Sequence, residues 1–285
     1  MITETTARYG DVGTRVLSVA GSGTPILLLH GYADSADTWR GVLTALHSAG
    51  RAAFAVDLPG FGLADPRGPG PMTPQFDAFV DAIIADHGPL TLAGNSLGAV
   101  TALHAAARHP DAVTAVVLLD EPIMAKHWLA VVGRLHEFTL FFRLLALLPI
   151  PPALVRWGVR SAVALFISGP GFRPTPEFLS TATRSVPDMA AVAARGRDAV
   201  RYAREHPSGH GALTLTCPAL VVHGAKDRII PVTAARTLHA LLPGSELTVL
   251  PGVGHCPQLD VPEKVGKLLL TFPSHLDTEH TDVAS

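Results

Sequence analysis

Ser96 stands between two glycines in Gly94-Asn95-Ser96-Leu97-Gly98, after an apolar run and before a helical pattern. A serine hydroxyl is a weak nucleophile at neutral pH. It needs a base to take its proton and a carboxylate to orient that base. The chain supplies both downstream. Asp227 closes Val221-Val222-His223-Gly224-Ala225-Lys226-Asp227, and His255 closes Leu250-Pro251-Gly252-Val253-Gly254-His255, each just past an apolar run. A strand that turns directly into a helix crowds the positions two before and two after the bend. Glycine at both positions relieves the crowding, so Ser96 is expected to stand above a sheet edge.

Positioning three such distant residues requires strands that end at one edge. Strand-like runs are expected at Thr14 to Val19, Ile26 to Leu29, Ala52 to Val56, Leu90 to Ala93, Val113 to Leu119, Ala219 to His223 and Leu247 to Leu250. Helical patterns occupy Thr38 to Ser48, Pro74 to Asp86, Leu97 to Arg108, Thr233 to Leu241 and Pro262 to Leu270. Most of the runs are continuously apolar, as in strands buried on both faces. Alternation of strand and helix predicts a mostly parallel sheet flanked by helices. Loops after parallel strands open at one edge, where Ser96, Asp227 and His255 can converge. The alternation breaks between Ile123 and Gly211, where apolar helical patterns, prolines and arginines replace strands. The expected organisation is a core at 1–122, a helical insertion at 123–211, and the rest of the core with a polar tail at 212–285.

Five segments in this order carry a family resemblance: "LLLHGY" at Leu27 to Tyr32, "DLPGFG" at Asp57 to Gly62, "GNSLG" at Gly94 to Gly98, "VVHGAKD" at Val221 to Asp227 and "GVGHCP" at Gly252 to Pro257. The chain resembles the α/β-hydrolase superfamily, serine hydrolases with an inserted helical cap, over nearly all of residues 10 to 272. The resemblance implies Ser96 as nucleophile, His255 as base and Asp227 as its orienting acid, with no cofactor. It implies an oxyanion hole from the amides of Tyr32 and Leu97, Gly31 permitting close backbone approach. Gly31, Tyr32 and Trp128 are expected to bind substrate. The Tyr32 hydroxyl either touches substrate or packs.

Other residues have plainer readings. His30 is expected to brace its loop, Asp57 a Pro/Gly turn, and Asp120 the junction with the insertion, with Asp227 the better acid. Cys256 reads as a packing residue. Asn95 resembles the elbows of carbon–carbon bond hydrolases, but His255-Cys256-Pro257-Gln258 lacks the tryptophan those enzymes usually show there. An ester of a small to medium apolar substrate is the expected target. Carbon–carbon cleavage, or a ligand receptor that retains the triad, are the alternatives. Within the insertion, Trp128, Phe138, Phe141, Phe142, Trp157 and Phe166 are expected to form mostly its own core. Any of Arg134, Arg143, Arg156, Arg160 and Arg173 could face the substrate. Ser168 to Pro176 reads as a hinge.

Composition excludes other classes. The 285 residues are 48% hydrophobic and 16% charged, with a net charge of −2 and no basic stripe for nucleic acid. The 14 histidines form no ligand cluster, so no metal is expected, and Cys217 and Cys256 form no disulfide framework. "MITETTARYG" lacks the basic and apolar regions of a signal peptide, which with the free thiols suggests the cytoplasm. Phe138 to Ile150 is apolar but broken by Arg143 and too short to span a bilayer; it leaves room for a partly apolar surface helix. Oligomeric state is not legible.

Overall fold

A computed structural model describes residues 1–125, 137–206, 209–211 and 213–272. Eight strands form one sheet in the order β1-β2-β4-β3-β5-β6-β7-β8. They span Thr3–Tyr9, Val12–Val19, Ser22–Leu29, Arg51–Val56, Leu90–Asn95, Val113–Leu119, Ala219–Gly224 and Glu246–Leu250. β1 and β2 are antiparallel to each other, and β2 is antiparallel to β4. All pairs from β4 to β8 are parallel. The expected mostly parallel sheet is therefore observed, with one strand the sequence reading missed. β1 is polar and exposed over most of its length, and hydrogen bonding to β2 rather than an apolar face holds it.

Helices cover both faces because successive residues of the parallel strands point to opposite sides and both sides are apolar. Leu27, Leu29 and Leu92 pack on one side with α2 (Thr73–His87) and α3 (Leu97–Arg108). Ile26, Leu28 and Ala93 pack on the other, against α1 (Arg40–Ser48) and the C-terminal helix Pro262–Thr271. Between β6 and β7 the described residues form helices at Glu137–Ala146, Pro152–Ala162, Pro176–Ser185 and Met189–Glu205. A π-turn at Val163–Ile167 extends the second of these.

A buried ion cluster fixes the loops after β3 and β4. Arg15 on β2 donates Nε to Asp57 Oδ2 at 2.9 Å and Nη2 to Asp37 Oδ2 at 2.9 Å. Asp57 also accepts the amides of Ala36 (2.7 Å) and Leu63 (2.8 Å), so it braces the turn as expected. His30 accepts the Leu58 amide on Nε2 at 2.9 Å and pairs through Nδ1 with the Gly31 carbonyl at 2.7 Å. Both bonds are met by a neutral imidazole, and burial lowers its pKa. Removing one partner of a buried charge pair leaves the other uncompensated. Arg15→Ala is therefore expected to lose about 3–5 kcal/mol of stability in urea unfolding. A loss below about 1 kcal/mol would show that the cluster does not anchor these loops.

Candidate active site

Ser96 is the only residue between β5, which ends at Asn95, and α3, which begins at Leu97. Its φ is +53° and its ψ −116°, a strained conformation for a residue with a side chain, of the kind found at functional sites. The flanking glycines are required by close approach. A Cβ on Gly94 would lie 2.1 Å from the Gly98 carbonyl oxygen, and one on Gly98 would lie 2.2 Å from that of Leu29. The Ser96 amide donates to the Leu119 carbonyl at 2.8 Å, which ties the bend to β6. α3 leaves its first amides, Leu97 among them, without intrahelical acceptors, and its dipole is positive at that end.

Asp227 and His255 meet beside this bend. His255 Nδ1 lies 2.7 Å from Asp227 Oδ2. Asp227 Oδ1 accepts the amides of Ile229 (2.7 Å) and Ile230 (2.9 Å). Burial alone would raise the Asp227 pKa. The His255 charge and hydrogen bond, with the two amides, outweigh it and hold the carboxyl below the usual range. Asp120, at the end of β6, accepts the Gly224 amide at 2.9 Å. Burial first, then the Asp227 charge, pushes its carboxyl well up, which favours the protonated form. The two acids thus separate: the charged form is favoured on Asp227, the partner of His255, and disfavoured on Asp120, which accepts a loop amide. Ligand atoms of Asp120, Asp227 and His255 lie within 4.8 Å of one another. The bonds just described already occupy Asp227 and the His255 Nδ1, so an ion would have to displace them.

Three braces hold the His255 loop. The His255 amide donates to the Ile167 carbonyl at 2.8 Å. Asp260 Oδ2 accepts the amides of Gly254 (2.8 Å) and Gly169 (2.7 Å). Asn95 donates Nδ2 to the His255 carbonyl at 3.0 Å. The segment read as a hinge is thus pinned at its start, where Ser168 and Gly169 are buried against this loop. Asn95 ties the serine bend to the histidine loop, a role its sequence position did not disclose. Cys256 packs beneath, with Sγ 3.4 Å from Asn95 Oδ1, and burial pushes its thiol well up.

Ser96 and His255 line one cavity of about 400 Å³. Gly31, Tyr32 and Leu97 also line it, as do Val159, Val163 and Ile167 from the segment between β6 and β7. Tyr32 donates its hydroxyl to the Arg195 carbonyl at 2.6 Å and packs edge-on against Phe61. Its hydroxyl is thereby committed to the helix Met189–Glu205. No arginine lines this cavity among the described residues. Trp128 and Arg134 lie outside the described residues, as does the side chain of Phe138. Asp34, Tyr202 and His206, titratable groups among the described lining residues, were not anticipated. Burial and the neighbouring His104 and His210 lower His206 to about 4. Burial, with smaller contributions from Asp57 and Asp37, raises Asp34 to about 8 against the Ser35 amide and Thr38.

With this geometry in place, the comparisons with known proteins add a lineage. The family model described as "alpha/beta hydrolase fold" matches residues 24–262. The chain belongs to that family. An uncharacterized protein of Mycobacterium tuberculosis is 29% identical over 281 residues, covering 95% of this chain and 81% of its own. A pimeloyl-[acyl-carrier protein] methyl ester esterase of Chromobacterium violaceum is 27% identical, covering 91% and 96%. A solved serine hydrolase involved in carbazole degradation shares the fold, with a TM-score of 0.74 at 23% identity and coverage of 96% and 100%.

Asp34 gives a pH test independent of activity. Its folded pKa of about 8 lies above the unfolded value of about 3.9. The folded state therefore holds the extra proton between these values, and this group's stability contribution falls as pH rises from about 4 through about 8. Asp34→Asn is expected to flatten the decline of the melting temperature between pH 5 and pH 8.5. Parallel curves for variant and wild type would contradict a neutral Asp34.

Proposed function

We propose that the protein is a serine hydrolase cleaving a carboxylic ester of a small to medium apolar substrate through an acyl-enzyme on Ser96. The observation that carries this reading is the 2.7 Å His255–Asp227 bond at a cavity that Ser96, on its strained bend, also lines. The esterase activity for which the Chromobacterium relative is named supports the choice of bond.

In this reading Ser96 Oγ attacks the ester carbonyl while His255 Nε2 takes its proton. Asp227 holds Nδ1–H and stabilises the imidazolium, remaining ionised throughout. Negative charge on the former carbonyl oxygen meets the amides of Tyr32 and Leu97. Collapse of the tetrahedral species breaks the carbon–oxygen bond, and His255 protonates the departing alcohol. Water then attacks the acyl-enzyme, giving its proton to His255. The second collapse releases the acid and returns that proton to Ser96. Every proton moves among side chains, substrate and water, so the cycle calls for no cofactor. Val159, Val163 and Ile167 suit an uncharged carbon chain, which favours an apolar ester over a carboxylate-bearing dienoate.

Hydrolysis of nitrophenyl esters of increasing acyl length tests this. Wild type is expected to show kcat/KM rising by up to about fourfold per added methylene until the cavity is filled. Ser96→Ala is expected to lose about 10⁴-fold or more, and Asp227→Asn about 10⁴-fold, with unchanged folding. Undiminished turnover by Ser96→Ala would overturn the mechanism. Wild type that labels at Ser96 with a fluorophosphonate but cleaves no ester would overturn the substrate class alone.

A further inference from the structure

Of the aromatic residues expected to pack together between β6 and β7, four have described side chains, and three of these, Phe141, Trp157 and Phe166, are exposed rather than core. Phe142 does pack inward, since a Cβ on Gly196 of the Met189–Glu205 helix would collide with its ring. Trp157 is 70% exposed, and Phe166 and Phe141 are about half exposed. Among the described residues, ten of the thirteen large apolar side chains with high exposure fall between Leu140 and Phe166. They are concentrated on one stretch of chain that includes the wall of the Ser96 cavity.

The helix Pro152–Ala162 and its π-turn have two apolar sides. Val155, Val159, Val163 and Ile167 recur every fourth residue; Val155 is buried and the other three line the cavity. Leu154, Trp157 and Leu165 follow the opposite stripe and are each more than half exposed. The preceding helix and connector also expose Leu144 and Leu147. Exposed large apolar side chains gathered this densely on one stretch of chain mark an interaction site.

Its charge identifies the partner. Between Glu137 and Glu177 the chain has four arginines, Arg143, Arg156, Arg160 and Arg173, and no carboxylate, although acids outnumber lysines and arginines overall by 24 to 22. All four arginines are exposed, and none is ion-paired with another described residue. Leucine and tryptophan among cations without acids are the composition of an element that lies in the interface of an anionic bilayer. No helix among the described residues is long and apolar enough to cross a membrane, so the contact is peripheral.

We propose that the outer face of residues 140–166 docks on an anionic lipid surface, and that this places the Ser96 cavity against the membrane so that the ester substrate is drawn from lipid. The second half rests on the hydrolase reading; the docking does not. Trp157 and Leu165 seat at the acyl boundary, and Arg143, Arg156 and Arg160 pair with phosphate headgroups. The cavity wall is the inner side of the same helix, so seating its outer side brings an amphipathic ester to within one helix thickness of the cavity that Ser96 lines.

Co-sedimentation with vesicles of phosphatidylglycerol and phosphatidylcholine in equal parts, against phosphatidylcholine alone, tests the docking. Full-length wild type is expected to bind the anionic vesicles more tightly. Replacing Arg143, Arg156 and Arg160 by Gln should weaken that binding about 10²-fold, at about fivefold per arginine. Trp157→Ser with Leu165→Ser should weaken it at least tenfold, while turnover of a soluble ester stays unchanged. Ser96→Ala should bind as wild type does. No vesicle binding, with intact turnover of soluble esters, would overturn the docking and leave the hydrolase reading standing. Vesicle binding without turnover of any ester would do the reverse. A wild-type dimer that dissociates on Trp157→Ser, with no vesicle binding, would assign the face to a second copy and overturn the proposal.

Discussion

The site depends on a steric constraint: β5 must become α3 within one residue, with no room for side chains on either side of the bend. The Gly94 and Gly98 positions face backbone carbonyls at 2.1 and 2.2 Å from any added Cβ. This crowding gives Ser96 its positive φ and fixes its hydroxyl at the sheet edge. The strain costs about 1–3 kcal/mol, and the buried strands and α3 around it sustain that cost. A more relaxed connection would let the serine adopt other rotamers and backbone angles, and the cavity would lose its fixed hydroxyl.

The second requirement is a histidine held rigidly opposite the bend. His255 sits on a loop, where backbone freedom is ordinarily high. The Ile167 carbonyl, Asp260 and Asn95 remove it. Two of these attachments reach the segment between β6 and β7, so that segment and the histidine loop are positioned together. Asp120 and Asp227 show how position assigns role. Both are buried acids at neighbouring strand ends, but the histidine and two amides favour charge on one, and the resulting charge disfavours it on the other.

The motif around Ser96 was legible because its glycines answer a local clash that any such bend creates. The parallel strands were legible because burial on both faces writes continuous apolar runs. β1 was not, since Thr3–Tyr9 is held by backbone pairing at an exposed edge and its side chains carry no burial signal. Asn95 and Asp260 were not legible as braces either. Their partners lie on loops whose approach is decided by the assembled sheet. The described aromatic residues between β6 and β7 misled for a different reason. Periodicity shows that Trp157 and Val159 lie on different sides of a helix, but with both sides apolar it cannot say which meets solvent.

The most direct measurement is peptide mapping by mass spectrometry after reaction with a fluorophosphonate, comparing wild type with His255→Ala. A single adduct on the peptide containing Ser96, formed rapidly by wild type and at least about 10³-fold more slowly by the variant, is the predicted result. Equal labelling rates in the two proteins, or an adduct on another residue, would contradict an imidazole-activated serine at this bend.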